Sequence, residues 1–256
     1  MMGHGHATMG AAGWVALTAT TTGALGVIPM SPAEVAAGAV VTAGAALLPD
    51  ADHHNGTIAH SLPPVSTVIT RAVGQASGGH RHGTHSLLGV LAAFALAWLL
   101  APVRLDLPWG LHDDFQLGAW LLIVLMVSFA AKALRITRGW RTSWAVAVGA
   151  GTAAVWFAPE QLWWLPLSVG MGAFIHILGD ALTIQGVPLL WPWRPSPAVE
   201  TPVWKKNGHF AIPVLGTAGS AREWVFVVAL DLYLLWVLLE ALAPGLVMDI
   251  AAGLSA

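Results

Sequence analysis

The stretch LWWLPLSVGMGAFIHILGDAL, residues 162–182, decides the fold and points to the chemistry. It falls within the roughly 17–25 apolar residues that cross a hydrocarbon core as one helix. Near its end it carries His176 and Asp180, and an ionisable group at the bilayer centre costs at least about 2.5–3.5 kcal/mol unless it is paired or functional. The i, i+4 spacing puts both side chains on one helix face. A histidine–aspartate hydrogen bond inside a bundle is one reading of the pair, and a metal or catalytic site is the other; proximity to further His and Asp residues favours the site.

The surrounding chain fits such a helix. Its 256 residues are 56% hydrophobic and 9% charged, against about 25% charged in soluble domains. Leu87–Val103, Phe115–Ala133 and Val225–Leu246 are further spans by length and composition. Ala7–Ile28 is rich in Gly, Ala and Thr, which suits a helix packed closely on others. Glu34–Leu48 and Trp144–Ala158 are shorter and could be short spans or re-entrant segments. The expected fold is all-α: a polytopic transmembrane bundle of about seven spans forming a single domain, 1–256, with long metal-binding cytoplasmic loops at 49–86 and 183–224. The N-terminus lacks the basic region of a cleaved signal, so Met1 onward is read as mature protein.

If all seven segments cross, the N-terminus and residues 49–86, 134–143 and 183–224 share one face. That face then holds ten of the eleven Lys and Arg residues, Arg104 being the exception. Basic residues concentrate on the cytoplasmic side. Ten of eleven histidines fall on the same face, the exception being His112. Removing either short segment alone would destroy the agreement. The expected placement is therefore the cytoplasmic membrane, with the N-terminus and the site inside and the C-terminus outside.

The chain has no cysteine, which excludes disulfides, thiolate metal sites and cysteine nucleophiles. A net charge of −2 and the lack of a basic stripe make nucleic acid an unsuitable partner. Asp50-Ala51-Asp52-His53-His54 follows an apolar helix closed by Pro49 and offers oxygen and nitrogen ligands, although the same residues suit a solvated helix-end turn. His80-Arg81-His82-Gly83-Thr84-His85-Ser86 places three imidazoles before the next helix, a density typical of metal-binding tracts. A helix start capped by Thr84 or Ser86 is the alternative. Glu223 could act as ligand, base or interface acid, and Arg81 could neutralise a phosphate; these two are the catalytic candidates. Asp231 lies mid-membrane and calls for a polar partner.

Taken together, these motifs resemble the YdjM family of membrane-bound metal-dependent hydrolases. The likeness runs through His6-Ala7-Thr8-Met9-Gly10, Leu48-Pro49-Asp50-Ala51-Asp52-His53, and His80-Arg81 with Thr84-His85-Ser86. It continues in Gly172, His176, Asp180, Thr183 and Gly186, then Gly219-Ser220 with Glu223. The resemblance implies a hydrolase of the cytoplasmic membrane with metal ligands His6, Asp50, Asp52, His80, His85, His176 and Asp180, and His53 also matches. A phospholipase-like activity and an association with the LexA repressor go with the family name; neither is carried onto this chain, and no protein partner is assigned.

So many N and O ligands exceed the four that one tetrahedral zinc accepts. Two or more divalent ions are expected, zinc first, with manganese or magnesium as alternatives. The expected substrate is a membrane lipid or lipid-linked phosphoester. A divalent-metal transporter and a non-catalytic, metal-stabilised adaptor are the rival readings; a transporter would need ligands near the midplane.

Overall fold

Ser31 begins the second helix with a reciprocal capping box, its side chain accepting from the Glu34 amide while the Glu34 carboxylate accepts from the Ser31 amide. Pro32 sits in the first turn, where a missing N–H costs nothing. The computed structural model describes residues 1–108 and 113–245. His112, the end of the last expected span at Leu246 and the expected external C-terminus lie outside the described residues.

The described residues form eight α-helices: α1 (Gly3–Thr18), α2 (Pro32–Ala45), α3 (Val65–Ser77), α4 (Leu87–Leu100), α5 (Leu117–Ala133), α6 (Trp140–Phe157), α7 (Leu165–Ala181) and α8 (Ala221–Leu242). No β-strand occurs among them, only isolated bridges and short 3-10 turns. The architecture is the expected all-helical membrane bundle. Pro32–Asp52, Pro159–Ala181 and Ala221–Leu242 are long and apolar enough to cross a membrane, and α4 and α5 are shorter apolar helices.

Each of the seven segments expected to span contains a helix; the bounds differ most at α1 and α6, and α3 is a further helix outside the seven. Helix α1 stops at Thr18, well short of Ile28, where the run Thr20-Thr21-Thr22-Gly23 begins. The β-branched side chains favour helix poorly. Beyond it the chain doubles back, the Leu25 amide donating to the Ala16 carbonyl and the Ile28 amide to that of Leu17. Helix α6 starts at Trp140, earlier than expected, and at 18 residues it is not among the helices apolar enough to count as a span. Helix α3 occupies what reads as loop in 49–86; it ends at Gly78, whose φ of 83° suits a left-handed cap. Residues 183–220 hold no helix and are braced by bridges such as Val187 to Phe210 and Thr183 to Gly216.

Helix α7 lies at the centre, with α1, α2 and α4 packed around it. Helix α8 touches α1 at the margin and buries only Glu223, Val227 and Val237. Two glycines set the central packing. A Cβ on Gly10 of α1 would lie 2.8 Å from the Thr42 carbonyl oxygen, and one on Gly172 of α7 would lie 2.7 Å from the same atom. Both helices therefore press their backbones onto the last turns of α2, the close approach that small residues permit in membrane bundles.

Candidate metal centre

His6 lies one turn before Gly10 on α1, and His176 one turn after Gly172 on α7. Because both glycines are pinned to the end of α2, the two imidazoles meet just beyond it, beside Asp50. Their rings stack with centroids 3.7 Å apart and planes at 11°. His176 Nδ1–H donates to the Ala46 carbonyl at 2.7 Å. A carbonyl can only accept, so the Nε2 lone pair of His176 is left facing the site, the second-sphere arrangement usual for metal-binding histidines.

The loop from His80 to Ser86 supplies the opposite wall, and Asp52 organises it. One carboxylate oxygen of Asp52 meets His80 Nδ1 at 2.9 Å, while the other accepts from the Arg81 amide at 3.1 Å and the Thr84 hydroxyl at 2.6 Å. The second oxygen also lies 3.3 Å from His85 Nδ1. His85 thus turns Nε2 inward, 3.2 Å from His176 Nε2 and 3.5 Å from Asp180 Oδ2. With His176 Nε2 to Asp180 Oδ2 at 3.7 Å, these atoms are spaced much as ligands about 2.0–2.2 Å from one ion would be. Asp50 Oδ1 stands 3.6 Å from His85 Nε2 and 3.8 Å from His176 Nε2.

Three overlapping sets of side chains can hold a metal ion: Asp50, Asp52, His80 and His85; His6, Asp50 and His176; and His85, His176 and Asp180. The seven residues come from α1, the end of α2, the loop before α4, and α7. His53 belongs to none of these sets; its ring packs against His80 at 4.5 Å and Nδ1 accepts from the Asn55 amide. His53 stands at the rim.

Asp180 is buried, and its two oxygens differ. Oδ1 meets the Met1 ammonium at 2.5 Å, Arg81 Nη2 at 3.0 Å and His6 Nε2 at 3.3 Å. Oδ2 has no hydrogen-bond partner, and neither has His6 Nδ1. Orphaned buried acceptors are rare in folded proteins, and a carboxylate oxygen beside two inward imidazole nitrogens fits a divalent cation. Burial works against a charge on His85, but contacts with Asp50 and Asp52, reinforced by Asp180, overcome it and push its pKa up to about 9. At neutral pH the His85 cation donates Nε2–H to His176.

Of the catalytic candidates, Arg81 reaches the centre, with φ at 59° and Nε and Nη1 buried and without hydrogen-bond partners. Glu223 is buried and turned to the backbone, accepting from the Met2 amide at 2.7 Å and the Gly219 amide at 2.8 Å. It tethers the start of α1 to the start of α8. Sequence reasoning missed Thr84 and the Ala46 carbonyl as orienting groups; the threonine between two candidate histidines was the available signal. It also left the partners of Asp231 unnamed: Thr8 donates to it at 3.0 Å, and His4 Nε2 lies 3.8 Å from its other oxygen.

The family model described as YdjM inner membrane protein matches residues 1–243. This chain belongs to the YdjM family. Inner membrane protein YdjM of Escherichia coli (strain K12) is 28% identical over 191 residues, and the protein of the same name in Shigella flexneri matches equally. The match covers 74% of this chain and 61% of each relative. No solved structure matches. The matched region contains all seven clustered residues, so the buried His/Asp centre lies within the YdjM-like part of the chain.

Proposed function

We propose that this YdjM-family chain is a metal-dependent hydrolase of the inner membrane, cleaving a lipid or lipid-linked phosphoester at the cytoplasmic face. The observation that carries the reading is the buried set of inward imidazole and carboxylate atoms beside an arginine with two unused donors. His6, Asp50, His80, His85, His176 and Asp180 would hold two or more divalent ions, zinc first and manganese or magnesium as alternatives, with Asp52 as a further ligand or as the group orienting His80 and His85. Such ions lower the pKa of bound water toward neutrality and polarise a phosphoryl oxygen.

The protein's own groups supply the rest. Arg81 offers Nε and Nη1 to an anionic oxygen, the planar fork suited to phosphate. The small recess beside it, about 40 Å³, is lined also by Thr183, Gln185 and Thr217. Asp52 fixes the loop that presents His80 and His85, and Glu223 holds the N-terminal helix that presents His6. The excess of Lys and Arg on the same side supports a cytoplasmic orientation.

Ligand position favours hydrolysis over transport. Asp180 lies in the last turn of α7 and Asp50 follows α2, so the centre sits at helix ends rather than at a midplane. The test is phospholipid hydrolysis by the purified protein, stripped with chelator and reloaded with each metal in ¹⁸O-water. Metal-dependent appearance of ¹⁸O in the phosphate-bearing product is expected, and its loss in His176→Ala. Metal flux into proteoliposomes without product would establish the transporter instead, and metal binding with neither would leave the adaptor.

A further inference from the structure

Helices α4 and α5 meet where the Leu100 carbonyl lies against Gly118, close enough that any side chain there would collide with it. From that junction a groove of about 640 Å³ runs toward the metal centre, within the size range of ligand pockets. Ala92, Ala93 and Leu96 of α4 form one wall, Leu122 and Met126 of α5 the other, and Ala173 of α7 belongs to the floor. At the far end the lining reaches Ala51 and Thr84, the sequence neighbours of Asp50, Asp52 and His85. The hydroxyls of Ser77 and Thr84 and the indole N–H of Trp191 are the polar groups of the lining side chains, and all belong to this end.

We infer that this groove holds one acyl chain of a glycerophospholipid whose head group lies at the His/Asp centre. Alanines on the α4 wall leave room that larger side chains would fill. Water does not occupy so apolar a space, because it needs polar partners. A hydrocarbon chain does, because it needs none. From Gly89 to Leu100 the α4 wall runs about 16 Å at 1.5 Å per residue, an elongated shape suited to a chain rather than a compact ligand. Thr84 selects the occupant: it lines the end of the groove, and its hydroxyl donates to Asp52 in the centre, so a lipid whose chain fills the groove brings its phosphoester beside the candidate ligands. Occupancy by the chain stands on the groove alone, whereas cleavage of its head group rests on the hydrolase reading above.

The experiment uses the full protein in vesicles of phosphatidylglycerol carrying a diazirine near the acyl terminus, with photolysis and peptide mapping. Strong labelling of α4 and α5 at the groove walls is expected, above that of the lipid-facing side of α8. Ala92→Phe at an exposed wall position and Ala93→Trp deeper in should each cut groove labelling several-fold while leaving α8 labelling and metal content unchanged. His176→Ala should leave it intact. Groove labelling no higher than on α8, labelling indifferent to both fillers, or a zero-length crosslink showing a second copy seated on α4 would overturn the inference. Groove labelling in a protein that hydrolyses no phospholipid with any metal would support the chain site and remove only the hydrolase reading.

Discussion

The imidazoles of His6 and His176 stack at 3.7 Å although 170 residues separate them. Two glycines one helical turn away, Gly10 and Gly172, bring this about by pressing α1 and α7 onto the same carbonyl of α2. The stack would be unfavourable if both rings were charged, and it brings the second candidate set, with Asp50, together.

Replacing either ring with alanine should therefore remove metal without unfolding the bundle. His6→Ala and His176→Ala are each expected to lower affinity for zinc by 100-fold or more, as loss of a direct ligand exceeds the roughly 10–100-fold typical of outer groups. Metal content after dialysis against a buffered zinc series, with helicity by circular dichroism as the folding control, checks this. Full metal retention in both variants would remove them from the ligand set.

Asp52→Asn separates orientation from ligation. An amide keeps the size but loses the charge that draws His80, His85 and the Thr84 hydroxyl together. If Asp52 acts by orienting, affinity falls about 10–100-fold and stoichiometry is preserved. Loss of one whole equivalent of metal would show that it ligates.

Metal uptake should release protons and strengthen with pH. His85 has its pKa raised to about 9, so at pH 7 it is protonated on the nitrogen that faces His176, and a ligand must give up that proton. Zinc affinity is expected to rise about tenfold per pH unit from His85 alone below pH 9 and to level off above it. Without metal the sign for stability is opposite: the stabilising contribution of the His85 cation is complete below the unfolded value near 6.5 and is lost as pH rises through about 9. Calorimetric titration in buffers of different ionisation enthalpy measures the released proton; a pH-independent affinity would refute the assignment.

Gly172→Leu should damage the site from a distance. Its Cβ would stand 2.6 Å from the Ala45 Cβ and 2.7 Å from the Thr42 carbonyl oxygen, and overpacking of this kind costs about 1–3 kcal/mol. Separation of α7 from α2 would pull His176 from Asp50. A lower melting temperature in detergent together with weakened zinc binding is expected, and unchanged values for both would contradict the packing account.

Much of this was legible in the chain because a bilayer imposes strong rules on composition. The apolar runs located the helices of the bundle. The boundaries that went astray have local causes. The threonine-rich run after Thr18 ended α1 early, and α3 carries too many polar residues to register as a membrane segment. Family-like motifs singled out the seven residues that cluster, along with His53, which does not join them.

By itself, then, the sequence determined an all-helical membrane protein of the YdjM family with His and Asp concentrated near helix ends. It did so because hydrophobic length, charge asymmetry and motif order are properties of the chain read along one dimension. Only the tertiary structure decided that Asp52 ties the His80–His85 loop together, that Glu223 faces the backbone of Met2 and Gly219, that Thr8 answers Asp231, and that an apolar groove lies between α4, α5 and α7. Those facts depend on which backbones approach closely enough to touch. That is settled by glycine contacts and helix-end hydrogen bonds between residues far apart in the chain, which no local pattern records.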